Sequence, residues 1–121
     1  MSDIQQLVER YIAVWNETDP AGRRRGVDAV FAAEARYTDP LADVTGPEAL
    51  DAVIAAVQAQ FPGLVFTLGP VDAHHGIARF TWELGPAGGE SLVVGFDVVE
   101  TGDDGLVRRV LGFLDKVPAA A

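Results

Sequence analysis

Apolar residues recur at helical spacing through the first half of the chain and at strand spacing through the second. Ile4, Leu7, Val8, Tyr11, Val14 and Trp15 lie three and four apart and form one wide stripe. Ser2-Asp3-Ile4-Gln5 has the form of a capping box, so the first helix is predicted to start there. Residues 16–20 end it. Asp19 is placed to cap a second, short helix with Pro20 at its first position and Val27, Val30 and Phe31 facing inward. Residues 34–40 read as an extended segment and 41–46 as a loop. Pro47-Glu48 then opens a third helix with the stripe Leu50, Val53, Ile54, Val57 and Phe61, stopped by Pro62-Gly63.

From residue 64 the period changes to two. Strands are predicted at 64–68, 76–84, 91–99 and 106–115, with a Gly69-Pro70 break and glycine-rich turns at 85–89 and 102–105. Three N-terminal helices followed by an antiparallel meander give a single α+β domain over residues 1–121. The expected shape is a cone: a curved, barrel-like antiparallel (mixed) sheet with the helices closing a pocket on its open side. Gly95 and Gly112 inside strands suit strong curvature or the close approach of a ligand.

Residues 91–99 are apolar on both faces, the mark of a central strand, and hold one carboxylate, Asp97. Burial disfavours its charge and should raise its pKa, leaving a neutral acid able to donate a hydrogen bond. Asp97 is therefore the first candidate for chemistry.

Composition narrows the partners. At 121 residues the chain makes one domain, and with no cysteine it has neither a disulfide framework nor a thiol nucleophile. A net charge of -9 argues against nucleic acid, whose affinity rests on neutralising phosphates. Arg23-Arg24-Arg25 reads as a solvated helix face. No basic segment leads into an apolar run, and none approaches the ~20 residues that span a bilayer, so a cytoplasmic chain with no membrane partner is expected. His74 and His75 are adjacent, would point to opposite faces of a strand, and have no clear third ligand, so no metal site is assigned. His75, Arg79, Glu83 and Asp115 read as an outer-face polar network, and residues 85–89, with no helix after them, are not a phosphate loop.

Arg10-Tyr11-Ile12-Ala13-Val14-Trp15-Asn16, Asp39-Pro40 and Asp97 together resemble the nuclear transport factor 2-like superfamily, in its SnoaL-like and ketosteroid isomerase-like branch. The resemblance covers nearly the whole chain. It implies that Tyr11 and a protonated Asp97 form an oxyanion hole and that Asp39 is the general base. That division of labour is the ketosteroid isomerase's own and is carried over with the resemblance. The implied pocket lining is Phe80, Trp82, Val99, Val110, Gly112 and Leu114, with Trp15 beside it and His74 at the rim, on the face of Phe80 and Trp82. The substrate would be a small, mostly apolar carbonyl compound, with no cofactor, and the chain a homodimer through its convex sheet face.

Trp15 and Trp82 are bulky for a steroid pocket and leave room for an aldol cyclisation on a polyketide. Plainer readings stand beside these. Tyr11 can be a core tyrosine, Asp39 a turn residue bonding backbone amides, and Asp97 a structural buried acid. The chain would then be a non-catalytic binding or dimerisation module. A lyase or hydratase using His74 is a third class.

Overall fold

The computed structural model describes residues 3–118. Prolines set two of the three helix starts. Helix α1 (Asp3–Asn16) buries Leu7, Val8, Tyr11, Ile12, Val14 and Trp15. The expected Ser2 cap lies outside the described residues. Helix α2 (Pro20–Val30) begins as predicted, with the Asp19 carboxylate accepting from the Gly22 amide at 2.8 Å. Helix α3 (Pro47–Gln60) buries Leu50 and Ile54. None of these helices is long and apolar enough to cross a membrane.

The strands are β1 (Phe31–Thr38), β2 (Asp43–Thr45), β3 (Val65–His74), β4 (Ile77–Gly85), β5 (Val93–Thr101) and β6 (Val107–Lys116), in the sheet order β2-β1-β6-β5-β4-β3. Neighbours are antiparallel except β1 and β6, which are parallel. The curved sheet is therefore mixed and open, with edges at β2 and β3, and is not a closed barrel. Strand β1 precedes α3, so the helices do not all come before the sheet, and Phe31 starts β1 in extended backbone (φ -106, ψ 143) rather than ending α2.

Gly69-Pro70 does not break the third strand. It forms a bulge between Leu68 and Val71, and the proline, which lacks an amide to donate, is tolerated because β3 is an edge. The bulge exchanges the two faces of β3. Phe66 and Leu68 stand opposite Leu84 and Trp82, but beyond the bulge Val71 and Ala73 stand opposite Phe80 and Ala78. Residues directly opposite share a face. His74 thus falls with exposed Ile77, not with Phe80 and Trp82 as expected.

In β5, Val93, Gly95, Asp97 and Val99 are buried toward the helices, while Val94, Phe96 and Val98 are half-buried on the outer face. The arginine run is not all solvated. Arg23 is buried on the inner side of α2 with Val27 and Val30, its Nε donating to Asp51 at 2.8 Å and its guanidinium to Gln58 at 3.0 Å. Gln58 in turn donates to the Trp15 and Glu17 carbonyls, tying the ends of α1 and α3 together.

Candidate functional site

Asp97 sits in the middle of a central strand and is 4% exposed. The apolar stripe of α1 lays that helix over the sheet, and Tyr11, itself 1% exposed, donates its hydroxyl to Asp97 Oδ2 at 2.7 Å. Phe80, opposite Asp97 on β4, meets the Tyr11 ring edge-on at 5.6 Å and fixes it.

Asp39 follows the end of β1. Its Oδ1 accepts from the Leu41 and Ala42 amides, both at 2.8 Å, and its Oδ2 accepts from the Tyr37 hydroxyl at 2.6 Å. Asp39 is thus a turn residue and also lines the cavity that holds Asp97. Gly112, opposite Asp97 on β6, brings the two acids together. A Cβ there would lie 3.0 Å from Asp97 Oδ1 and 3.2 Å from the Asp39 Cβ, so only the missing side chain leaves both acids room.

Burial pushes the Asp97 carboxyl up to about 6; donors from Tyr11 and Trp82 hold it back, and the Asp39 charge adds to the rise. The rise is in the expected direction, and it is limited because those two donors stabilise the anion. Burial, and after it the Asp97 charge, raise both Tyr11 and Tyr37, so both remain hydroxyl donors at physiological pH.

The cavity offers about 60 Å³ of free space, in a hollow of about 460 Å³ counted to its open mouth. An apolar cavity of ~150 Å³ holds a benzene. The free space is smaller than that, and the hollow opens at its mouth. Tyr37, Trp15, Phe66 and Trp82 form a chain of rings around it, with centroids 5.7, 5.5 and 5.3 Å apart. Val57 and Phe61 close the α3 side, and no Lys, Arg or His lines it.

The sequence profile of the SnoaL-like domain matches residues 8–110. The chain belongs to the SnoaL-like family. Among solved structures it is similar to a SnoaL-like protein from Agrobacterium tumefaciens, thought to be an isomerase, with 37% identity and a TM-score of 0.89 over 95% of this chain and 99% of that one. It shares the fold of a protein from Kribbella flavida thought to be a ketosteroid isomerase (22% identity, TM-score 0.73, 98% of this chain and 82% of that one). The same holds for one from Jannaschia thought to be a SnoaL-like polyketide cyclase (21%, TM-score 0.71, 92% and 86%). Among proteins of curated function, none matches.

In this SnoaL-like chain Tyr11, Asp39, Asp97, Trp15 and Trp82 meet at one cavity. The remaining expected residues do not line it. Phe80, Val99 and Val110 are packed in the core, because the helices cover that part of the sheet completely. Gly112 lies between the two acids and lets them approach, and Leu114, opposite Gly95, is half-buried beside the core. His74 is exposed and lines a separate groove with His75 and Arg10, so it does not reach the acids. The expected outer-face network is also dispersed: His75 is a turn residue with φ 47, Arg79 pairs with Asp72 at 3.3 Å, and Glu83 accepts from Ser91. No cluster of three or more His, Cys, Asp or Glu placed to hold a metal occurs among the described residues. Sequence reading missed Tyr37. The available signal was its place two residues before Asp39, which puts it on the same side of an extended segment.

Proposed function

We propose that this chain is an acid–base enzyme acting on a small, mostly apolar carbonyl compound, by proton abstraction next to the carbonyl and stabilisation of the resulting enolate. The observation that carries the reading is the buried Tyr11–Asp97 pair, 2.7 Å apart, set across Gly112 from Asp39 in an aromatic cavity. Asp39 takes the α-proton, the C–H electron pair forms the carbon–carbon double bond of the enolate, and the carbonyl π pair moves onto the oxygen. Tyr11 turns its hydroxyl from Asp97 to that oxygen, and protonated Asp97 becomes the second donor. Negative charge developing beside Asp97 raises its pKa further and favours the protonated form. Asp39 then returns the proton to the same or another carbon. The similarity to the A. tumefaciens protein thought to be an isomerase agrees with this chemistry.

The test is α-proton exchange of cyclohex-2-enone in deuterated water. Asp39→Asn should abolish exchange and Asp97→Leu should weaken it. A second reading makes Asp97 the base, because both Asp39 oxygens already accept hydrogen bonds. Exchange that survives Asp39→Asn and is lost in Asp97→Asn would favour it. No exchange, together with no rise in melting temperature on adding the ketone, would leave a structural module.

We also propose that the chain pairs with a second copy through the outer sheet face, where Phe113 is 57% exposed and Val94, Phe96, Val98 and Leu111 are half-buried.

A further inference from the structure

The acid–base set leaves one buried donor unused. Trp15 is 6% exposed and stands in the cavity wall, and its indole Nε1 has no hydrogen-bond partner among the described residues. Among the described residues, the two hydroxyls and two acids of the wall are engaged. Tyr11 donates to Asp97, Tyr37 donates to Asp39, and the Trp82 indole acts on Asp97. The Trp15 and Tyr11 rings are neighbours, with centroids 6.3 Å apart, yet the indole N–H completes no hydrogen bond with the Tyr11 hydroxyl. A buried N–H without an acceptor is costly, and native chains keep few of them. This one stands next to the hydroxyl that is to meet substrate. What it lacks is an acceptor, which a ligand oxygen would supply.

We propose that Trp15 donates its indole N–H to the substrate's oxygen, as a third donor beside Tyr11 and Asp97, and so selects a neutral carbonyl over a carboxylate or a hydrocarbon of the same size. The inference rests on the reading given under Proposed function. Selection against a carboxylate follows from the same wall: it holds two acids and no Lys, Arg or His. A hydrocarbon would leave the indole as it is. A carbonyl oxygen satisfies it, and the bond strengthens as charge moves onto that oxygen during proton abstraction.

The chain contains two tryptophans, so ¹⁵N labelling gives two indole N–H resonances. Trp15→Phe identifies that of Trp15, and Trp82→Phe identifies it by elimination if the first variant does not fold. On adding cyclohex-2-enone to the wild-type protein, the Trp15 resonance should move downfield, and cyclohexene should leave it in place. Trp15→Phe should lower kcat for proton exchange about tenfold or more, with KM changed little. Exchange by the wild-type protein with an unmoved Trp15 resonance overturns this inference and leaves the proposed function standing. So does a Trp15→Phe protein that exchanges at the wild-type rate. If the ketone neither exchanges nor shifts any indole, the proposed function fails and the inference with it.

Discussion

Asp97 ties stability to pH in a direction that can be worked out. Its carboxyl is raised from 3.8 to about 6 on folding, so the native state holds the proton more tightly than the unfolded chain. The stability this brings is complete below about pH 3.8 and is lost as pH rises through about 6, a change of about 3 kcal/mol. Asp97→Asn removes the titration. Relative to wild type, the variant should gain about that amount between pH 4 and pH 8 in urea unfolding. Exchange activity that needs protonated Asp97 should likewise fall above pH 6, which a pH–rate profile checks. Gly95 constrains the site by its size. The Trp82 indole lies across it, and a Cβ there would come within 2.0 Å of Cζ2. Gly95→Ala should displace the ring and cost about 1–3 kcal/mol, read as a lowered melting temperature. Asp97 was legible in the sequence because one acid interrupts a two-faced apolar run. The free Trp15 nitrogen was not, since periodicity shows that a ring is buried but not which way its edge points.

At the scale of elements, the cavity depends on how the end of α1 is held. The Asn16 amide pairs with both backbone groups of Phe66, accepting from its N–H at 2.7 Å and donating to its carbonyl at 2.9 Å, much as a neighbouring strand would. Asn16→Ala strands both groups and should cost about 2 kcal/mol in denaturant unfolding. It should also loosen the α1–β3 contact that sets the Trp15–Phe66 wall. The helices were readable because Asp19, Pro20, Pro47 and Pro62 mark their ends chemically. The bulge in β3 was not, because Gly-Pro has the same appearance in a turn and in an edge strand. Only the pairing with β4 separates the two, and the placement of His74 turned on it.

For the whole molecule, the fold class followed from the change of hydrophobic period near residue 64, whereas the parallel union of β1 with β6 had no local signature. Pairing between segments so far apart leaves no mark on either one alone. The outer sheet face makes its own prediction: Phe113→Glu should convert the proposed dimer to monomers in sedimentation equilibrium, with the cavity and the proposed exchange activity kept. The union of the first and last strands also governs how the site comes into being. Tyr37 and Asp39 belong to the early part of the chain and Asp97 to the late part, and the strand between β1 and β5 is β6, the last of the six described strands in chain order. A nascent polypeptide that has reached β5 already contains all three residues, but they have no common floor until β6 slides between β1 and β5. Assembly of the pocket should therefore be the slow, late event in folding, and a chain cut short before β6 should hold its helices yet bind nothing.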